Sequence, residues 1–148
     1  MLHVLLPAAL ATLAGVSIVV QQALNANLRE ALSSAAWSGF VSYLVGLLSM
    51  AVLVVALREP VPALGIAARI PWWAWSGGIF GAIFIALAIL LLPKLGAATF
   101  IALLVAGQMT ASVAFDHFGL LGLARRPVDP SRLLGVALLV AGVVMIRR

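Results

Sequence analysis

The chain has 148 residues, of which 65% are hydrophobic and 9% charged, with a formal net charge of +5. Soluble domains hold about 45 to 50% apolar residues, and so short a chain has no interior large enough to hide the excess, so a soluble fold is excluded and the solvent is a bilayer. The basic balance does not point to nucleic acid, because Lys and Arg sit singly or in pairs at the ends of apolar segments and form no basic stripe, while the absence of cysteine removes disulfide, thiolate and Cys-ligated metal chemistry.

Five apolar stretches follow one another: Val4 to Leu24, Ala35 to Leu57, Ile70 to Leu92, Leu95 to Phe115 and Leu133 to Ile146. A helix needs about 20 apolar residues to cross a hydrocarbon core of about 30 Å. The pattern predicts an all-α integral membrane protein: one transmembrane domain over 1–148, a five-transmembrane-helix bundle of four long spans plus a short C-terminal one.

The first stretch is too long for a signal-peptide core, and Met1 to Pro7 carries no Lys or Arg, so a retained span is expected despite the cleavage-like Ala9-Leu10-Ala11. His3 is expected at the interface. Ser17, Gln21 and Asn25 recur at i, i+4 and i+8, followed by Arg29, with Gln22 and Asn27 off this stripe. Asn25 to Ser34 reads as a connection. In the second stretch Ser38, Ser42 and Gly46 form a face of small residues that permits close helix approach. Arg58 to Arg69, with Pro60 and Pro62, is a loop. Pro71 opens the third helix, where a missing N–H costs nothing, and Trp72, Trp73 and Trp75 suit an aromatic belt at the headgroups. Gly77 and Gly81 form a GxxxG, continued by Gly78 and Ala82.

Pro93-Lys94 reads as a tight turn into the fourth stretch, where Gly107 and Ala111 are again small-residue contacts. Gln108, Ser112 and Asp116 share a face within about 80°. Phe118 to Leu123 is too short to span and too apolar for water, so it is expected at the interface or dipping back into the membrane. The fifth stretch, at 14 residues, must recruit Pro130 to Arg132 and let Arg147 and Arg148 snorkel, giving a span of about 131–147.

An unpaired amide in hydrocarbon costs several kcal/mol, so the stripes of the first and fourth helices face something polar. Two readings are open: hydrogen bonding that holds the bundle, and the lining of a substrate cavity. Packing at Gly46, Gly77, Gly81 and Gly107 can likewise lie within one subunit or between two. Among the acids, Glu59 and Asp129 have nearby Arg residues and read as solvated charge or headgroup contact. Asp116 ends a polar stripe beside His117, a pair able to bind a proton near neutral pH or to cap a helix end. No metal-ligand spacing, nucleophile–base pair or phosphate loop occurs, so neither enzymatic activity nor a cofactor or metal is expected.

If every stretch crosses once, Arg58, Arg69, Arg125, Arg126 and Arg132 fall on one side and Arg29, Lys94, Arg147 and Arg148 on the other, five against four. Orientation follows the Lys/Arg bias of short loops, so a near tie permits dual topology. One transporter half can then complete an inverted repeat by pairing with an inverted copy.

The segments Gln21-xxx-Asn25-Ala26-x-Leu28-Arg29, Pro71-Trp72-Trp73-Ala74-Trp75-Ser76-Gly77-Gly78-xx-Gly81, Leu95-Gly96-Ala97-Ala98, Gly107-Gln108, Ser112 and Asp116-His117-Phe118-Gly119-Leu120-Leu121-Gly122, in this order, resemble the YdcZ-like family of small inner-membrane exporters in the drug/metabolite transporter superfamily. The resemblance covers nearly the whole chain. It implies a five-helix, half-sized transporter of the bacterial cytoplasmic (inner) membrane and supplies no substrate. Small multidrug exporters of the superfamily carry a membrane-embedded Glu in the first helix. Here Ser17, Gln21 and Asn25 occupy the polar face, which argues against proton/cation antiport by that route.

The expectation is therefore a small-molecule transporter working as an antiparallel, dual-topology homodimer by alternating access. Gln21, Asn25, Gln108 and Ser112, with Ser17 in the same stripe and Trp37 and Tyr43 as aromatic walls, would bind a neutral or zwitterionic substrate. Asp116 and His117 would couple transport to protons. The alternatives are a passive channel formed by a dual-topology dimer and a non-transporting scaffold subunit.

Overall fold

A computed structural model describes residues 2–146, with side-chain surroundings given for all but 2–4 and 64. The expected snorkelling of Arg147 and Arg148 and the interfacial placing of the His3 side chain lie outside what is described. The chain divides into two compact units, Met1–Pro93 and Lys94–Arg148, each taken by itself below.

The first unit opens with α1 (Leu2–Leu32) and α2 (Ala35–Ala56). The sequence reading assigned Asn25 to Ser34 to a connection, but α1 continues through it and the link is reduced to Ser33 and Ser34. The reason is local hydrogen bonding. Ser33 adopts positive φ (51°), its N–H donates to the Glu30 carbonyl and that of Ser34 to the Arg29 carbonyl, each at 3.2 Å, a Schellman closure built without glycine. Ser34 then caps α2, its hydroxyl accepting from the Trp37 N–H at 3.3 Å. The far end of α2 closes the same way around Arg58 (φ 53°), with Arg58 N–H on the Val55 carbonyl and Glu59 N–H on that of Val54.

A short helix, α3 (Leu64–Ala67), and a 3-10 turn (Trp72–Ser76) lead into α4 (Gly77–Leu95). Trp72, Trp73 and Trp75 are exposed. Pro93, expected in a turn, lies inside α4. A proline in a helix deprives the carbonyl four residues earlier of its N–H partner. Here that carbonyl belongs to Ile89, and the Arg29 guanidinium of α1 donates to it at 3.0 Å. The break after α4 comes at Gly96, whose φ of 78° and ψ of 153° suit glycine alone.

The second unit packs α5 (Ala97–Phe118) against α6 (Pro130–Ile146). The C-terminal helix starts at Pro130, so it does take in Pro130 to Arg132, and its 17 residues measure about 25 Å at 1.5 Å per residue. Its start is specified by Asp129, whose carboxylate accepts from the Ser131 hydroxyl at 2.5 Å and the Arg132 N–H at 2.9 Å. The Ser131 hydroxyl bond, then the Arg132 N–H bond, hold its carboxyl below the ordinary value against a small desolvation effect. The cap is therefore fully present above the ordinary Asp value near pH 4 and is lost below it, as pH falls through the lowered native value. Between the helices, Gly119 (φ 64°) ends α5 and a 3-10 turn (Leu120–Gly122) follows. Phe118, Leu120, Leu121 and Leu123 are all exposed, an apolar surface suited to the membrane boundary.

Four helices are long and apolar enough to span a bilayer, and a shorter apolar one follows. Among the described residues, the buried ones are the apolar Ile85, Ala88, Ile89, Phe100 and Val143 and the polar Gln22, Asn25 and Ser38. Large apolar side chains cover the outside of the long helices. So apolar an exterior fits lipid as the solvent, since backbone groups are satisfied within the helices.

Candidate functional site

Burial on α1 follows Ile18, Gln22, Asn25 and Arg29, spaced 4, 3 and 4, which is the inward seam of a 3.6-residue helix. Asn25 belongs to the expected stripe, whereas Gln22, read from sequence as off it, is 1% exposed. The seam faces α2 and α4 at fixed points. Ser38 of α2, fully buried, donates its hydroxyl to the Asn25 carbonyl at 2.7 Å, and Arg29 holds the Ile89 carbonyl of α4. The buried face of α4 repeats Gly81, Ile85, Ala88 and Leu92.

The seam contains unpaired polar atoms. Both side-chain polar atoms of Gln22 and the Nδ2 of Asn25 are buried without a hydrogen-bond partner among the described residues. Buried groups left so cost about 1–3 kcal/mol each, which a packed bundle tolerates where another arrangement or a ligand supplies the partner.

Beside the seam, α1 and α2 enclose an open groove of about 390 Å³. Ser17, Gln21 and Asn25 line it from α1, and Ser42, Gly46 and Ser49 from α2, with apolar walls from residues such as Leu24 and Val45. A methyl group at Gly46 would touch no neighbouring helix within its unit, so this glycine opens the groove floor. None of the lining residues is charged. The structure thus brings together three expected site residues, Ser17, Gln21 and Asn25, with one expected packing residue, Gly46.

The aromatic residues stand elsewhere. Tyr43 lines a separate apolar groove between α2 and α4 with Phe40, Ala82 and Ile85, and its hydroxyl lies against Gly81. Trp37 is exposed and stacks edge-on against Phe40, centroids 5.6 Å apart. Of the glycines expected at helix contacts, Gly81 meets another helix, while a methyl at Gly77 meets nothing within its unit.

In the second unit Gln108 and Ser112 are exposed on α5 and make no side-chain hydrogen bond among the described residues, and Gly107 likewise has open space beside it within its unit. Asp116 and His117 are tied into the joint between α5 and α6. The Asp116 carboxylate pairs with the Arg132 guanidinium at 3.4 Å, and its carbonyl accepts from the Arg126 N–H at 2.7 Å. Nδ1 of His117 accepts from the Val128 N–H at 3.1 Å, which requires that nitrogen to be unprotonated. Arg125 donates to the His117 carbonyl at 3.2 Å.

Sequence reasoning missed Gln22 and the role of Arg29. The available signal was the 4-3-4 spacing from Ile18 to Arg29, set against the competing run of polar residues at Ser17 and Gln21.

Comparison with known proteins gives the same direction. A family described as "Putative inner membrane exporter, YdcZ" matches residues 6–145. The chain is 28% identical over 136 residues to the "Inner membrane protein YdcZ" of Escherichia coli (strain K12), covering 91% of this chain and 90% of that one. No solved structure matches. Apolar-faced helices around a polar seam, under a family match running almost end to end, make this a multi-pass inner-membrane protein, and the chain belongs to the YdcZ family of exporters.

Proposed function

We propose that the chain carries a small polar molecule across the inner membrane by alternating access, as an antiparallel homodimer in which each copy covers the other's α1–α2 groove. The observation that carries this reading is the groove itself. Five polar side chains, Ser17, Gln21, Asn25, Ser42 and Ser49, line it between helices whose outer faces are otherwise apolar; the Ser17 and Ser49 hydroxyls donate to carbonyls of their own helices, and lipid tails cannot satisfy the rest. A second copy can, and the five-to-four distribution of Lys and Arg leaves insertion free to supply one in the opposite orientation.

The uncharged lining favours a neutral or zwitterionic substrate held by amide and hydroxyl hydrogen bonds. The orphaned amides of Gln22 and Asn25 support a moving part. An arrangement that leaves them unpaired is poised against one that pairs them, and alternating access needs two states of similar energy. Gln108 and Ser112 offer a second polar stretch on α5. Asp116 is the acid aligned with that stretch, and protonating it would release Arg132 and loosen the α5–α6 joint, a route for coupling.

Single cysteines test the dimer without background, since the chain has none. Val61→Cys, on the loop after α2, and Ala31→Cys, in the last turn of α1 by the other end of α2, should each react with an impermeant thiol reagent from outside in part of the population. Cysteines placed at Ser42, Gly46 or Ser49 should give disulfide-linked dimers. Labelling of one loop alone, with no cross-link at any groove position, would contradict the reading.

A further inference from the structure

A second hollow, of about 520 Å³, lies between the C-terminal ends of α1 and α4 and is lined by Asn27, Arg29, Glu30 and Ser33 together with Leu92 and Pro93. At about 100° per residue, Glu30 lies about 120–180° round α1 from Ser17, Gln21 and Leu24, and this hollow shares no lining residue with the polar groove. Its size is that of a ligand site.

Arg29 is positioned there by backbone chemistry. One N–H is spent on the Ile89 carbonyl that Pro93 leaves free, which tethers the guanidinium there. A guanidinium has five N–H donors, and the others have no partner among the described residues. Among the described residues the Glu30 carboxylate, the Asn27 amide and the Ser33 hydroxyl also make no side-chain hydrogen bond, and neither Arg29 nor Glu30 is in an ion pair. The hollow therefore presents an anchored cation with an unused fork, a carboxylate next to it, and two neutral hydrogen-bonding groups.

We propose that this hollow binds a zwitterionic head: a carboxylate or phosphate on the Arg29 fork, with an ammonium on Glu30. The fork matches two oxygens of either anion in bidentate fashion, and a protonated amine a few ångströms away satisfies Glu30. A plain anion would satisfy Arg29 and meet Glu30 as a like charge, so the pair selects against it. Leu92, Pro93 and Ala26 provide apolar wall for the carbon atoms of such a molecule. This chemistry occurs in free amino compounds and in the ethanolamine head of a phospholipid, and the two sources are separable by experiment.

The purified chain in dodecyl maltoside is titrated with O-phosphoethanolamine, glycine and inorganic phosphate, followed by intrinsic tryptophan fluorescence and thermal shift. In parallel, chain extracted from vesicles of equal phosphatidylethanolamine and phosphatidylglycerol is examined by native mass spectrometry for retained lipid. The expected result is saturable binding of a zwitterionic probe, or preferential retention of phosphatidylethanolamine, in the wild type. Glu30→Gln should erase the preference over inorganic phosphate or phosphatidylglycerol by at least about tenfold. Arg29→Lys, which keeps the charge and loses the fork, should weaken binding of both classes. Soluble probe alone identifies a free zwitterion, and lipid alone identifies a headgroup. Because Arg29 also serves a backbone carbonyl, Glu30→Gln and Ser33→Ala, on exposed positions, keep the test independent of folding. Absence of zwitterion preference in the wild type, or a preference unchanged in Glu30→Gln, overturns the proposal and leaves Arg29 as a carbonyl cap.

Discussion

Replacing Arg29 and Pro93 singly and together tests whether a side chain of α1 completes the backbone of α4. Arg29→Met keeps most of the side-chain length and removes the single 3.0 Å bond to the Ile89 carbonyl. A hydrogen bond from a charged group is worth about 1.5–3 kcal/mol in proteins, and those between membrane helices average about 0.6 kcal/mol with a maximum near 1.7. The site is part-buried at a helix end, so a loss of about 1 kcal/mol is expected. Pro93→Ala restores the N–H that Ile89 lacks, since position 93 lies four residues on. In that background the carbonyl has a backbone partner, and Arg29→Met should cost less than about 0.4 kcal/mol, within the scatter of additive pairs. The assay is reversible unfolding of the purified chain in mixed micelles with rising dodecyl sulfate, read by far-ultraviolet circular dichroism. If Arg29→Met costs as much in the Pro93→Ala background as it does alone, the proline and the arginine act independently and the pairing is incorrect.

Gln22→Met removes two unpaired buried polar atoms while nearly preserving volume, so it should stabilise the chain by about 1–3 kcal/mol in the same assay. A loss of stability would show that Gln22 has a partner in the membrane. Asp116→Asn should abolish the pH dependence of transport if this carboxyl is the coupling site, whereas an unchanged profile would make it an ion-pair partner of Arg132. The Asp129 cap is present above about pH 4 and is lost on acidification. Exchange of the Arg132 and Leu133 amides should therefore accelerate as pH falls below that range, after correction for intrinsic rates, and Asp129→Ala should show the fast rate at pH 7.

Segment type was legible because lipid demands long apolar helices, and the resemblance named the family correctly. Helix phase was harder. In α1 polar residues occupy both the seam (Gln22, Asn25) and the groove (Gln21, Asn25), so hydropathy distinguishes lipid from non-lipid faces but not two adjacent polar faces. Helix ends were misplaced where their cause was unusual. Ser33 takes the left-handed cap position usually held by glycine, so no glycine marked the stop of α1; Arg58 closes α2 the same way, where the loop beginning at Arg58 was legible. Pro93 stays helical because Arg29, 60 residues earlier in the chain, answers the carbonyl it frees. No local window contains that information. The start of α6 was legible from the length the fifth span needs, which took in Pro130 to Arg132, and Asp129-Pro130 adds a cap followed by a proline at the first helical position.

The central claim, that the α1–α2 groove passes a small polar molecule, is tested most directly by efflux. Proteoliposomes holding the purified chain are loaded with a pooled extract of neutral and zwitterionic metabolites, and their contents are followed by mass spectrometry. The account predicts that one or a few compounds leave faster than from protein-free vesicles, with saturation. Asn25→Ala and Gln21→Ala should slow that release at least about tenfold while the variants still extract as dimers. Equal retention of every compound with and without the chain, or release unaffected by both substitutions, would contradict it.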